Sequence, residues 1–384
     1  MDTPLLYRQL MDQLSQWVTP KDVRHLQGVS EAVGAILQSQ AACPALWLPY
    51  LSHRDCSARA HLERIQYLLE NPQIGAEQFY YPLLQKVLSA FAGSSLTLAF
   101  DTSMLWNEYC LVEVSLIWGG RSLTLAQTVL EHASASVAFA DYQSVLEQAY
   151  AQIPPGCTVT LLADRGFDHK QLLQWLNDHQ WEWVIRLKCD VSLRLASGRL
   201  CQVDDLWPPR DEAYLYRQVE VFDEIEAHLA TAHLSNASEP WAVLSSSPPS
   251  LQTFEQYGER FGGIEPHFKD YKSAGFDLTQ SRIRDAQRLT SLVMLLDIAH
   301  LIAVIVGILL VQTGRRARLD WHGERGLSFL QLGLREIARR CYQRLALPIL
   351  TPLPQRSPPK AYATKHFQQY RQSLLEFSKV VTFS

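Results

Sequence analysis

The chain has 384 residues, 47% of them hydrophobic and 19% charged, with a formal net charge of −4. That is an ordinary soluble composition, long enough for two or three domains. The start, Met1-Asp-Thr-Pro-Leu-Leu-Tyr-Arg, lacks a basic stretch followed by an apolar one, so no signal peptide is expected. The seven cysteines are scattered and form no Cys-x-x-Cys pair, which argues against a disulfide framework or a zinc ribbon and suits a reducing, cytoplasmic setting.

Residues 1–93 read as helical. Leu62, Ile65, Leu68 and Leu69 recur at helical spacing, and Asn71-Pro72 ends that helix. His53, Cys56 and His61 near its start are read as structural rather than as zinc ligands. From residue 94 the period changes to two. Leu96, Leu98 and Phe100 alternate with Thr97 and Ala99 in a strand that closes on Asp101. Tyr109 to Trp118 forms a second strand, Gly119-Gly120 signals a two-residue hairpin, and Arg121 to Val129 forms a third. A helix with Tyr142, Val145, Leu146, Ala149 and Ile153 on one face stops at Pro154-Pro155-Gly156. The strand Thr158 to Ala163 then delivers Asp164. Leu172, Leu173 and Leu176 mark a helix that Asp168 would cap, and Trp181 to Leu187 is another strand.

This βββαβαβ order is that of an RNase H-like fold, whose first and fourth strands are neighbours. Such neighbours would bring Asp101 and Asp164 together across 63 residues of sequence. Residues 188–250 break the pattern with short apolar runs between turn residues and read as a β-rich insertion. The expected fold class is therefore α/β: an RNase H-like mixed sheet with helices, interrupted by that insertion, between an N-terminal helical domain and a C-terminal helical tail.

Leu292 to Val311 is apolar and about long enough to span a bilayer. Asp297 and His300 near its middle would be costly there, so a buried core helix is expected. Residues 313–372 hold twelve Lys/Arg against three acids, a local charge of +9. Residues 1–312 carry the compensating negative charge, and the asymmetry suggests a polyanionic partner at the C-terminal end.

Singly, an aspartate at a strand end is most often a turn former or helix cap, and Glu265 alone reads as a surface carboxylate. Together, Asp101, Asp164 and Glu265 are what a two-metal phosphoryl-transfer site requires, with Tyr257, Arg260 and Lys272 as company for phosphates. On these residues the chain resembles the bacterial insertion-sequence transposases of the DDE superfamily, in the group marked by Tyr-x₂-Arg-x₃-Glu-x₆-Lys. Further points of likeness are Asn71-Pro72, Asp164-Arg-Gly-Phe, Lys272-Ser-Ala-Gly-Phe-Asp-Leu and Leu327-Ser-Phe-Leu-Gln-Leu-Gly-Leu.

The resemblance implies an enzyme that cuts transposon ends and joins them to target DNA with two Mg²⁺ ions, for which Mn²⁺ would substitute. Asp101, Asp164 and Glu265 would be the catalytic, metal-binding triad. Tyr257, Arg260 and Lys272 would hold phosphates, and Trp241 would stack on a flipped base, or else fill the insertion's own core. The partners implied are double-stranded DNA and a second copy of the chain, with no membrane. Residues 1–93 would bind DNA ends, 94–187 and 251–312 would form the two parts of the catalytic core around the insertion, and 313–384 would be the basic helical region.

Two departures stand out. Four residues, Phe261-Gly-Gly-Ile264, separate Arg260 from Glu265 where the family has three, and Pro266 disfavours helix at Glu265. Either one continuous helix carries Glu265 and Lys272 on a shared face, or helix begins only at Pro266 and the third ligand is displaced. A catalytically inactive DNA-binding relative and a nuclease without strand transfer therefore stand as alternatives.

Overall fold

The computed structural model describes residues 4–51, 55–234, 239–356, 358–359, 361–363, 365, 369 and 375–383. The N-terminal part is helical, with α1 Leu5–Ser15, α2 Val23–Ser39, α3 Pro44–Trp47, α4 Ala58–Glu70, α5 Ala76–Phe79 and α6 Tyr81–Val87. Side-chain oxygens start two of them: Asp22 accepts the Arg24 N–H and Ser57 accepts the Ala60 N–H. On α4 the inward face is His61, Ile65, Leu68 and Leu69, whereas Leu62 turns outward. The buried residues of these helices join the same apolar core as the sheet.

Next come β1 Ser95–Leu105, β2 Tyr109–Trp118, β3 Arg121–Glu131, α7 Phe139–Ala151, β4 Thr158–Ala163, α8 Lys170–Asp178 and β5 Glu182–Arg186. Gly119 and Gly120, both at positive φ, make the turn between β2 and β3. The strands lie in the order β3-β2-β1-β4-β5, with β1 antiparallel to β2 and parallel to β4. That is the expected RNase H-like arrangement.

β6 Ser192–Arg194, β7 Leu200–Gln202, β8 Glu212–Val221, β9 Ile225–His233 and β10 Trp241–Ser245 form the insertion. It is no separate module, because β10 pairs antiparallel with β5 and carries the core sheet onward. α9 Leu251–Lys269, α10 Ala286–Gln312, α11 Phe329–Tyr342 and β11 Lys379–Phe383 complete the described elements. β11 pairs in parallel with β8, so the expected C-terminal helical tail ends instead as an edge strand on the insertion. Lys379, Val381 and Phe383 lie on one face of β11 and Val380 and Thr382 on the other, and Phe383 stacks on Tyr216.

α10 is the apolar helix of the sequence. Its most apolar window is 94% buried inside the fold, against α2, α11 and β3. Asp297 is held there by the Thr124 and Tyr271 hydroxyls. α10 and α11 cross almost backbone to backbone at Gly307 and Gly333, where any Cβ would meet the opposite chain.

Candidate active site

β1 and β4 run in parallel register as far as Phe100 opposite Ala163. Asp101 and Asp164 are the next residues on each strand, so both carboxylates emerge at the same edge. Alternation along β1 sends Phe100 to one face, against Tyr142 of α7 and Phe167, and Asp101 to the other, under α9. Asp101 does not end its strand as the sequence suggested. β1 continues to Leu105, paired with β2 alone, and forms a ribbon beyond the site.

Between the two aspartates lies Arg260. Its Nη2 is 2.6 Å from Asp101 Oδ2 and 3.5 Å from Asp164 Oδ2. Asp101 Oδ1 accepts the Thr102 N–H, and Asp164 Oδ1 accepts the Gly166 N–H, so Asp164 also caps the short 3-10 turn Arg165–Phe167. Burial pushes the Asp101 carboxyl up to about 6 against the opposing pull of Arg260. For Arg260 the balance falls the other way: burial disfavours its charge, yet Asp101 holds the guanidinium above its usual range. The pair therefore stabilises the arginine without offsetting all that burial costs the aspartate.

The other predicted residues fall into two groups. Lys272 is half-buried and donates through Nζ to the Met104 carbonyl on the β1 ribbon. Burial lowers its ammonium, opposed by Cys110 and Asp101. Tyr257 is buried, one turn before Arg260 on α9, edge-on to Phe261 and to Trp241. Trp241, the first residue of β10, is partly buried in that aromatic cluster, with Arg186 over its ring at 5.9 Å.

Glu265 lies apart. α9 is continuous from Leu251 to Lys269 with Pro266 inside it, so helix does not begin at Pro266. Five residues beyond Arg260 is about 140° round the axis at 100° per residue. Glu265 is accordingly exposed, while Ile264, where the family spacing would place the acid, is fully buried on the side of Arg260. Gly263 permits the close contact, since a Cβ there would sit 2.9 Å from Ile117 of β2. Pro266 has no N–H for the Gly262 carbonyl, which weakens the helix at this point. After Lys269 the backbone widens into a π turn, Asp270–Ala274, that carries Lys272 back to the β1 ribbon.

One expectation for a neighbouring residue changes. Asp168 is no cap for α8; it accepts the Lys188 N–H at 2.9 Å and its ammonium at 2.6 Å, and His169 takes the cap position. Cys56 and His61 touch at 3.3 Å, while His53 lies outside the described residues. Glu113 was not picked out from the sequence. It pairs directly with Asp101 across β1 and β2, is fully buried, and faces His267 of α9 at 3.2 Å. The signal was available: a lone Glu in the middle of Leu111-Val-Glu-Val-Ser, in a strand with no other charged residue.

Two carboxylates reached by one Nη2 atom are hard oxygen donors of the kind that suits Mg²⁺. Among the described residues no group of three or more His, Cys, Asp or Glu is gathered as a metal site. The donor set thus fits a divalent cation at Asp101 and Asp164, where Arg260 now supplies the positive charge.

An RNase H-like sheet with aspartates leaving adjacent parallel strands at one edge defines the class to which this chain belongs. Residues 119–302 match the family described as "Transposase DDE domain". No curated protein matches the chain. Among solved structures it is similar to the piggyBac transposase in a cryo-EM synaptic complex with hairpin DNA. That likeness has 11% identity and a TM-score of 0.45 over 97% of this chain and 84% of the other. It is also similar to Marinitoga piezophila Argonaute in complex with 5′-OH guide RNA and target DNA, at 10% identity and a TM-score of 0.21. There 43% of this chain and 24% of the other are covered. At these scores neither likeness bears on function.

Proposed function

We propose that this protein is the transposase of a bacterial insertion sequence, acting in the cytoplasm as a dimer on paired DNA ends. The observation that carries the reading is the Asp101–Arg260–Asp164 cluster at the edge of β1 and β4, in a chain matched to the DDE transposase domain. When bound at Asp101 and Asp164, Mg²⁺ or Mn²⁺ would supply charge stabilisation to phosphoryl transfer on a DNA phosphodiester. Asp101 and Asp164 hold that charge in place at the edge of β1 and β4; α9 keeps bulk water from Asp101, while Asp164, 38% exposed, leaves the site open to a phosphodiester. Arg260, released from the carboxylates, presents a planar fork to phosphate oxygens. Lys272 adds a second cation from the π turn beside the β1 ribbon. Trp241, beside Tyr257 and Arg186, offers an aromatic face for an unpaired base.

Glu265 completes the donor set in this reading when α9 rewinds by one residue at Gly262-Gly263, where Pro266 has already removed a backbone hydrogen bond. A second reading, a DNA-binding relative without catalysis, is favoured by Ile264 at the position the family spacing gives to the acid.

The test uses duplexes bearing the element's own terminal inverted repeats. Asp101→Asn and Asp164→Asn should abolish Mg²⁺- or Mn²⁺-dependent cleavage and leave end binding within about threefold, because affinity rests on phosphate contacts. Glu265→Gln should abolish it as well. Wild-type protein that binds ends but never cuts them with either metal supports the second reading. Cleavage that persists in Asp101→Asn refutes the site.

A further inference from the structure

Trp321 is 84% exposed, and the loop that displays it is built to be rigid. The guanidinium of Arg316 fixes the loop from within. Nη1 donates to Asp320 Oδ2 at 2.8 Å and to the carbonyls of His322 and Glu324, and Nη2 donates to that of Gly323 at 2.7 Å. Asp320 is the buried hub. Beyond Arg316 it accepts the Gly326 N–H at 3.0 Å and meets His322 Nδ1 at 2.6 Å. His322 in turn stacks under Trp321, with ring centroids 3.9 Å apart at 26°. One face of the indole is therefore supported and ordered before any partner arrives. Fixing a large aromatic in water has no folding benefit, because hydrophobic stabilisation requires removal from water.

The surroundings are basic. Trp321 borders a shallow depression of about 490 Å³ lined also by Gln40, Ala317, Arg318, Leu319 and Arg335. Arg318 and Arg335 are exposed, and Arg315 stands exposed nearby. The acid of the lining, Asp320, is already paired with Arg316 and hydrogen-bonded to His322. The +9 counted over residues 313–372 includes Arg315, Arg316, Arg318, Arg339 and Arg340. The structure divides that set: Arg316 is bound to Asp320, and Arg339 and Arg340 both pair with the buried Glu336. What remains for a polyanion is Arg315 and Arg318, with Arg335 added, and they surround the exposed indole.

We propose that Trp321, with Arg318 and Arg335, forms a binding site for single-stranded DNA, in which an unpaired base stacks on the indole and the adjacent phosphates meet the two arginines. The site rests on the DNA reading above and lies outside the Asp101–Asp164 cluster. A supported aromatic face accepts any base, and guanidinium groups beside it select a phosphodiester over a neutral apolar partner.

The experiment measures binding of full-length protein to a fluorescent dT oligonucleotide and to a duplex of equal length, by anisotropy across a salt series. Trp321→Ala should weaken dT binding about tenfold, within the range of one base–aromatic stack, and leave duplex affinity within twofold. Trp321→Phe should keep most of the dT affinity. Arg318→Ala should flatten the dependence of log K on log salt by about 0.7, the loss of one single-strand phosphate contact. Equal dT affinity in wild type and Trp321→Ala overturns the proposal, as does wild-type protein that binds duplex but not dT. Loss of self-association in Trp321→Ala, read by light scattering with dT affinity unchanged, also overturns it and makes the loop a protein contact. Failure of the transposase reading looks different: neither DNA is bound, and both proposals fall together.

Discussion

Arg260→Ala tests whether the guanidinium is the counter-charge that allows the buried Asp101 to sit beside Asp164 at one sheet edge. In the native protein the Asp101 and Arg260 side chains are 12% and 5% exposed. Removing one partner of such a pair leaves the other buried and unpaired, a loss of about 3–5 kcal/mol. The loss depends on pH in a direction the structure fixes. The folded Asp101 carboxyl, already raised to about 6 by burial, holds its proton more tightly than the unfolded one. Its contribution therefore falls as pH rises from about 4 through 6. Without Arg260 that window extends upward, so the variant should be close to wild type at pH 5 and well below it at pH 8. Thermal unfolding at both pH values, with and without Mg²⁺, reads the effect. Mg²⁺ should raise the melting temperature of Arg260→Ala more than that of wild type, since ligand at a hundred times its Kd contributes about 2.7 kcal/mol and meets no competing cation. Equal melting temperatures at pH 8, or a Mg²⁺ response no larger than wild type, would show that Arg260 does not hold this site together.

Asp297→Asn should stabilise the protein at pH 8 and change little at pH 5. Burial raises the Asp297 carboxyl to about 7, so its ionisation between about 4 and 7 costs stability on the order of 4 kcal/mol at about 1.4 kcal/mol per pH unit. Asn retains an oxygen for the Thr124 and Tyr271 hydroxyls, and melting curves at the two pH values decide. Gly333→Ala should destabilise by roughly 3 kcal/mol or more by forcing α10 and α11 apart at Ala303. A melting temperature equal to wild type would refute that crossing.

The core topology was legible because its signals are local. Period-two runs, Gly119-Gly120 and Pro154-Pro155-Gly156 mark the elements, and the order βββαβαβ allows few sheets. The buried helix was legible for the same reason, since Asp297 and His300 contradict a bilayer. Illegible were the features that depend on distant partners. β11 is an ordinary apolar pentapeptide until β8 offers it an edge. Nothing near Asp168 in sequence announces Lys188. The basic count over residues 313–372 could not reveal that Asp320 and Glu336, though few, are buried where they bind three of the arginines.

The candidate site shows the same division at finer scale. The spacing of Arg260, Glu265 and Lys272 shows one residue too many, but not where the helix absorbs it. α9 passes straight through Pro266, puts Ile264 where the carboxylate belongs, and widens only at Asp270–Ala274. Four groups, Asp101, Asp164, Arg260 and Lys272, then arrive together, and the fifth, Glu265, is turned about 140° from Arg260. A helix can correct such an offset by moving its widened turn upstream. The stretch best suited to that is Gly262-Gly263, which has low helix propensity and one carbonyl that Pro266 cannot satisfy. Opposing the shift is the contact of Gly263 with Ile117, which fixes α9 against β2, and the fully buried His267–Glu113 pair one turn further on. The catalytic and inactive readings therefore differ by one local balance: whether a divalent cation attracts Glu265 strongly enough to release those two contacts.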